Sequence, residues 1–537
     1  MPEYILDWNK YTDTAIRVAQ EGSVLLKNDR SALPLQSGAK TAVFGRMQNN
    51  YYKSGTGSGG MVNVKHVVSI REGLQNEPGI TVDEELIQIY EDWESENPVD
   101  PGLGWGKENW SQKEMPLTSD IVKSAAAKND AAVIVIGRTA GEDRDNTAQK
   151  GSFFLSEGEE EMIGKVCAEF QKTIVVLNVG NIIDMSFVEK YDPAAVIYVW
   201  QAGMIGGTAA ADLLCGKAVP SGCLTDTIAK ELSDYPSSPN FGGEDLSKDF
   251  YTEDIFVGYR YFSTFAEEKV LYPFGYGLSY TTFEVKCLGF EAQGTDVCVK
   301  VSVKNTGNYM GKKTVMLFAK TPSDRIATPS RVLVDFKKTK KLAPGEEIEI
   351  TLRAGANRYA SFDDDGRLTG NTGWVLPKGT FTFFLGGNVE EAAEVGSFEI
   401  SEDTMIEQLE SAAKPLQAFE RLTIGGNYEP VPLRKIEHVE TRLERVPKEI
   451  AFTGDKGIKL SDVRTGKNTL SEFIAQIPDE DLSLIIRGEG MGSPKVTTGT
   501  AAAYGGVSRE LMDMGIPTIC CDDGPSGLIN FFIFFFE

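Results

Sequence analysis

The first half of the chain alternates short apolar runs with amphipathic helical patterns. Continuous apolar runs are typical of strands that are covered on both faces of a parallel sheet. The runs are residues 41–45, 131–137, 173–178 and 194–200. Ser156 and Glu159 form a capping box before a helix with one apolar face. Residues 203–214 predict another helix, which ends at Gly216. We therefore expect an α/β sandwich domain over residues 10–283.

In the second half the apolar period changes to two. Every second residue from Val297 to Val303 is valine, which predicts a strand with two distinct faces. Residues 348–352 repeat this alternation, and residues 380–385 supply a further strand. Short alternating strands separated by turns predict a β-sandwich over residues 284–400.

The C-terminal part returns to an α/β rhythm. Residues 401–465 are charged and weakly periodic, which indicates a linker that wraps a neighbouring part of the chain. Beyond it, the pattern predicts helices at 470–476 and 508–514, a polar, glycine-containing stretch at 487–506 and a strand at 517–521. A complete (β/α)8 barrel takes about 250 residues. We therefore interpret residues 466–537 as the incomplete N-terminal portion of a TIM-type barrel and expect the chain to be truncated there.

Composition restricts the partners. The formal net charge of -24 argues against nucleic acid and anionic membranes, while a neutral substrate and a plain need for solubility both fit it. With only His66 and His438, neither a histidine triad nor a histidine-rich metal site is expected, and no cofactor is predicted. The 7 cysteines form no CxxC pair and are interpreted as reduced. Without a secretory signal or a membrane-length apolar run, a cytoplasmic location is predicted.

Two carboxylates follow predicted strands. Glu142 lies on a charged loop directly after the strand that ends at Ile136, and ligands of open α/β sheets gather beyond the carboxyl ends of strands. It is either a general acid/base or part of a solvated loop. Asp523 lies in an Asp-Gly-Pro turn, which aims a carboxylate away from the strand end. A ligand role and an ordinary turn both stay open for it.

Two other motifs can be explained either by ligand binding or by an ordinary structural role. Residues 55–60 match GxGxxG, but no strand directly precedes them and no helix follows. A surface loop that borders a site is therefore favoured over nucleotide binding. Trp105 and Trp110 either stack on a sugar face or pack against the protein.

Together these segments resemble glycoside hydrolase family 3, the β-glucosidase-type enzymes. The resemblance rests on residues 22–28, 33–35, 138–145, 150–151, 178–181, 200–203, 220–222, 256–261 and 272–283. Residues 284–400 resemble the family's fibronectin-III-like domain. In the commonest arrangement the Asp-Gly-Pro motif lies near the beginning of the chain. Here it follows the sandwich domains, so the chain resembles the circularly permuted form of the family.

The resemblance implies a retaining β-glucosidase that acts on terminal non-reducing β-D-glucosyl residues of a small oligosaccharide or an aryl β-glucoside. Glu142 aligns with the acid/base, and Asp523 would hold sugar hydroxyls. The family's Ser-Asp-Trp nucleophile segment is absent from the sequence, so we expect this chain to be inactive or nearly so. A non-catalytic carbohydrate-binding fragment, a β-xylosidase of the same family and a homo-oligomer stay open. The hypothesis of a structural or adhesion module is supported only by the predicted β-sandwich.

Overall fold

The computed structural model describes residues 7–57, 60, 64–104, 106–142, 146–240, 248–410, 413–434, 438–490, 493–495 and 501–521. The chain divides into two compact units. The first unit contains residues 1–55 and 66–435, and the second contains residues 56–65 and 436–537.

The first unit begins with an α/β domain built on a six-stranded sheet. Its elements are α1 (Trp8–Gly22), β1 (Val24–Asn28), β2 (Ala39–Phe44), α2 (Ile70–Gln75), β3 (Ile80–Val82), α3 (Glu84–Glu96), α4 (Ser119–Ala126), β4 (Ala131–Arg138), α5 (Glu157–Glu169), β5 (Thr173–Val179), α6 (Phe187–Tyr191), β6 (Ala195–Tyr198), α7 (Gly206–Leu214), β7 (Ile228–Ala229), α8 (Tyr259–Phe265) and β8 (Val270–Tyr272). The strand order is β1-β6-β5-β4-β2-β3. Only the β1–β6 pair is antiparallel; the other neighbours in this sheet are parallel.

Alternate residues of the central strand β4 enter two different cores. Ile134 and Ile136 belong to a core that also contains residues of α3, α4 and α5. Val133 and Val135 belong to a second core, with residues of α2 and α7. Because helices cover both faces, the strand reads as a continuous apolar run, as predicted. The four predicted strands and the two predicted helices are confirmed, and Gly216 follows α7 with φ of +77°.

The β-sandwich follows directly. Its strands are β9 (Phe283–Gln293), β10 (Asp296–Asn305), β11 (Thr314–Lys320), β12 (Val332–Lys338), β13 (Glu347–Ala354), β14 (Ser361–Asp363), β15 (Gly373–Leu376), β16 (Gly379–Gly386), β17 (Ala393–Ile400) and β18 (Thr404–Gln408). The sheets are β13-β10-β9, β12-β11-β16-β17 and β14-β15-β18. The alternating valines from Val297 to Val303 all face the sandwich core, which confirms the predicted two-faced strand.

The segment predicted as a linker is structured in its first part. β18 pairs with β15 of the sandwich, and β19 (Glu420–Leu422) forms a hairpin with β20 (Tyr428–Pro430). The amide of Leu422 donates to the carbonyl of Thr252 over 2.7 Å. Residues 401–410 and 413–434 therefore lie on the first unit. The charged composition of this segment obscured the short strands in the sequence pattern.

The second unit has a small core of its own. Its elements are α9 (His438–Glu444), α10 (Leu460–Arg464), α11 (Leu470–Ala475), α12 (Asp479–Arg487), β21 (Glu489–Gly490), β22 (Ala502–Gly505), α13 (Arg509–Asp513) and β23 (Thr518–Cys521). Phe473, Leu484 and Leu511 are at the centre of this core. The predicted helices and strand are confirmed, but the described strands of this unit form an antiparallel sheet, β21-β22-β23. The start of a barrel therefore stays a prediction. None of the helices within the described ranges has the length and apolarity to cross a membrane.

Candidate active site

Glu142 lies where the sequence places it, on the loop that follows the carboxyl end of β4. β4 ends at Arg138, and the Glu142 side chain is exposed four residues later. The next described residue is Asn146, and α5 begins at Glu157. The loop thus connects a central strand of the sheet with the helix that follows it, so both of its ends are attached to the α/β core.

Arg138 fastens the two ends of this loop together. Its side chain is 1% exposed. The guanidinium Nε donates to the carbonyl of Ser152 over 2.9 Å, and Nη2 donates to the carbonyl of Phe154 over 3.3 Å. These two acceptors lie at the far end of the loop, just before α5. A single buried side chain therefore closes the loop across its base.

Glu159 completes this closure from the helix side. Its carboxylate binds the Arg138 guanidinium through two contacts, Nη1–Oε1 at 2.5 Å and Nη2–Oε2 at 2.6 Å. Its Oε2 also accepts from the amide of Ser156 over 2.8 Å, and Ser156 Oγ accepts from the amide of Glu159 over 3.3 Å. The predicted capping box is confirmed. We call Arg138, Ser156 and Glu159 the loop clamp.

Beside the loop, two side-chain amides form hydrogen bonds with the backbone of neighbouring segments. Asn178 of β5 accepts from the amide of Tyr52 over 2.7 Å and donates to the carbonyls of Tyr52, over 3.0 Å, and Trp200, over 2.7 Å. Gln201 donates to the carbonyl of Arg138 over 3.2 Å. These amide side chains tie the loops beyond the carboxyl ends of β2 and β6 to the ends of β5 and β4.

Gly55, the first residue of the glycine-rich stretch, borders this loop. A Cβ atom added at Gly55 would collide with the backbone carbonyl of Ala140. The close approach of two backbones explains the glycine at that position. The prediction of a loop next to a site therefore has a physical basis at Gly55.

A second buried carboxyl group lies in the first core. Glu114 accepts from the backbone amides of Arg46, at 3.1 and 3.2 Å, and of Met115, at 2.8 Å. Burial raises the pKa of Glu114 to about 8. The Arg46 guanidinium is held elsewhere, by the carbonyls of Lys113 and Asn97. Glu114 is 8% exposed as a residue and holds backbone in place.

The structure does not bring the other described candidate residues, Trp110 and His66, together into one site. Asp523 and Trp105 lie outside the described residues. The carbonyl of Trp110 accepts from the amide of Thr139 over 2.8 Å, which gives Trp110 a role in holding the start of the Glu142 loop. His66 is exposed and pairs with Glu72 at 2.9 Å. Within the described ranges no three His, Cys, Asp or Glu side chains are grouped to hold a metal ion.

Sequence reasoning missed the loop clamp, although it found two of its parts. Ser156 and Glu159 were recognised from their spacing as a helix start, and Arg138 only as part of a motif. The signal that would have joined them is an arginine at the end of a fully buried strand. Such a charge requires a buried partner, and the N3 carboxylate of the next helix is one candidate.

Comparison with known proteins gives the family. Residues 23–280 match the glycosyl hydrolase family 3 C-terminal domain, and residues 313–389 match a fibronectin type III-like domain. The β-glucosidase of Ruminococcus albus is 50% identical over 529 residues, which cover 97% of this chain and 55% of that protein. β-Glucosidase A of Butyrivibrio fibrisolvens is 33% identical over 589 residues, which cover 97% of this chain and 69% of that protein.

Solved structures agree with this assignment. A β-glucosidase from Paenibacillus barengoltzii is 46% identical and superposes with a TM-score of 0.92, covering 98% of this chain and 59% of that one. β-Glucosidase 3B from Thermotoga neapolitana, solved in complex with α-D-glucose, is 36% identical with a TM-score of 0.68, covering 75% and 55%. The chain belongs to glycosyl hydrolase family 3. It spans 55% of the Ruminococcus albus β-glucosidase and about half of two further curated β-glucosidases, those of Acetivibrio thermocellus and Bacteroides ovatus.

Proposed function

We propose that this chain carries the acid/base part of a retaining β-glucosidase active site, with Glu142 as the acid/base. The observation that carries the proposal is the position of Glu142. It is an exposed carboxylate on a loop beyond the carboxyl end of a central strand, and the buried loop clamp fixes the base of that loop. The β-glucosidase names of the relatives support the choice of reaction.

In this mechanism Glu142 acts twice. It first protonates the glycosidic oxygen while a carboxylate of a barrel domain attacks the anomeric carbon. It then removes a proton from the water that hydrolyses the covalent intermediate. The two carboxyl groups of a retaining enzyme lie about 5–5.5 Å apart. Positioned proton transfer contributes roughly 10²- to 10⁴-fold to the rate.

The other parts of the site follow from the family resemblance. Asp523 accepts hydrogen bonds from hydroxyls of the terminal non-reducing β-D-glucosyl residue and fixes its position. The nucleophile belongs to a (β/α)8 barrel, of which residues 466–537 form the start, after the sandwich domains in permuted order. The 537 residues contain no Ser-Asp-Trp segment, so we propose that this polypeptide alone does not turn over substrate. The substrate is a small β-gluco-oligosaccharide or an aryl β-glucoside.

A chimera tests this proposal. The barrel of the Ruminococcus β-glucosidase is joined to this chain, and hydrolysis of p-nitrophenyl β-D-glucoside is measured for the chimera and for the 537-residue chain. We expect turnover by the chimera only, with kcat reduced about 10²- to 10⁴-fold in Glu142→Gln, because the water that attacks the glycosyl-enzyme then lacks its general base. Glu157→Gln, an exposed carboxylate near the same loop, is the matched control and should leave the rate unchanged.

Two results would contradict the proposal. An unaltered kcat in the Glu142→Gln chimera would remove Glu142 from the chemistry. Hydrolysis by the purified 537-residue chain would show that a nucleophile lies within it. A parallel assay with p-nitrophenyl β-D-xyloside tests the sugar, because faster turnover of the xyloside would replace glucose with xylose as the substrate.

A further inference from the structure

A cleft lies on the first unit where the sandwich meets the α/β domain, and the described residues of the Glu142 loop do not line it. Two adjoining cavities, of about 550 and 340 Å³, share Asp254, Phe362, Asp364 and Arg421 in their walls. Tyr251 lines the larger cavity and Trp374 the smaller. Both volumes lie within the usual range for small-ligand sites. We call these six residues and the two cavities the sandwich cleft.

Three aromatic side chains of the cleft are exposed. Tyr251 is 69% exposed, Phe362 is 41% exposed and Trp374 is 39% exposed. Phe362 and Trp374 are direct partners on the neighbouring strands β14 and β15, so they stand on one face of that sheet, with ring centroids 5.2 Å apart. Exposed aromatic groups held on a rigid sheet provide an apolar surface without much loss of side-chain entropy on binding.

The polar part of the cleft is already ordered. Arg421 binds the carboxylates of Asp254 at 3.0 Å, Asp364 at 2.5 Å and Glu429 at 3.1 Å. Arg367 binds Glu429 through two contacts of 2.9 and 3.0 Å. Together, the three carboxylates and the two guanidinium groups carry a net charge of −1. Each carboxylate has about four lone-pair positions, and these contacts leave some of them open.

This combination fits a neutral ligand rich in hydroxyls. A charged ligand that binds among these five groups would have to displace one of them from its partner, at a cost in desolvation. Hydroxyl groups need only the open acceptor positions of carboxylates that are already fixed. A pyranose ring also has an apolar C–H face that can lie on an aromatic ring. We propose that the sandwich cleft binds a β-linked gluco-oligosaccharide, separately from the Glu142 loop. The choice of glucose as the sugar rests on the proposed function; the binding of a sugar does not.

Calorimetric titration of the complete 537-residue chain with cellotetraose tests this proposal. We expect binding that is about ten-fold weaker or lost in Phe362→Ala and in Trp374→Ala, because truncation of an aromatic contact at a binding site typically costs that much. Tyr251→Ala is the second variant, since its exposed side chain can be removed without disturbing the fold. Phe336→Ala is the matched control, an aromatic residue of the same sandwich that is 61% exposed and lies outside the cleft.

The outcomes are distinct from those of the catalytic test. Loss of binding in the cleft variants, with Phe336→Ala unchanged, supports the cleft whether or not the chimera hydrolyses glucosides. Absence of cellotetraose binding in the wild-type chain overturns the proposal. Wild-type affinity in all three cleft variants also overturns it. Loss of binding in Glu142→Gln overturns it as well, because the sugar would then occupy the acid/base loop.

Discussion

At the scale of single residues, the site depends on a buried arginine as much as on the exposed carboxylate. Arg138 and Glu159 are 1% and 5% exposed, so neither charge has water as an alternative partner. A buried charge that loses its partner keeps the full cost of its desolvation. The buried pair thus orders the base of the loop from β4 and α5, the elements that flank it, while Glu142 stays exposed.

The first prediction compares two glutamates of α5. Glu159→Gln leaves Arg138 buried without a counter-charge, so we expect the first unit to lose roughly 3–5 kcal/mol of stability. Glu157→Gln removes an exposed partner of Lys150, at 3.2 Å, and should change stability by less than about 1 kcal/mol. Urea unfolding followed by circular dichroism checks both. Equal losses in the two variants would show that burial of the pair is unimportant.

The second prediction concerns pH and Glu114. Burial raises the pKa of this carboxyl from its usual 4.5 to about 8, so the folded chain binds the proton more tightly than the unfolded chain. Its contribution to stability is therefore complete below pH 4.5 and is lost as the pH rises to about 8. Glu114→Gln should remove this loss. Melting temperatures between pH 5 and 8 that fall with the same slope in both proteins would contradict the assignment.

At the scale of elements, burial decides what could be read from the sequence. β4 and β5 were predictable because both faces are covered, and β10 because one face is. β1 and β14 were not, since their places depend on pairing with β6 and β15, which are distant or weakly patterned in sequence. Likewise Glu142 could be found from its strand, whereas the Arg138–Glu159 pair joins residues 21 apart in sequence. Asp523 stays a prediction.

The third prediction tests the capping box as part of the loop clamp. Ser156→Ala and Thr118→Ala each remove a side chain that accepts a helix N-terminal amide, from Glu159 and Ile121 respectively. Each should cost about 1 kcal/mol. Only Ser156→Ala should speed hydrogen exchange of the amides at residues 146–155, because only that helix start closes the loop. If exchange in that segment were equally fast in both variants, the Ser156 cap would have no specific role in holding the loop.

At the scale of the whole molecule, the two units differ in how well their strands are covered. β4 of the first unit is buried over its full length, whereas every residue of β23 in the second unit is exposed, with Ile519 at 43%. An exposed apolar strand at the edge of a sheet pairs readily with other chains. We therefore expect β23 to promote association between copies of this chain.

The fourth prediction follows from that strand. Ile519→Lys places a charge on the exposed edge strand β23 and should lower the aggregated fraction of the purified chain, since edge charges oppose strand pairing. Val439→Lys is the control, because Val439 is 66% exposed but lies on α9. Light scattering at matched protein concentrations measures both. An equal reduction in the two variants would point to net charge rather than to the strand.

The central claim, that Glu142 is the acid/base, is tested most directly by azide rescue of the chimera. In Glu142→Ala, azide can occupy the space of the lost carboxylate and attack the glycosyl-enzyme from the same face as water. We predict that azide accelerates turnover of 2,4-dinitrophenyl β-D-glucoside and that the product is β-D-glucosyl azide. No acceleration, or α-D-glucosyl azide as the product, would contradict the assignment.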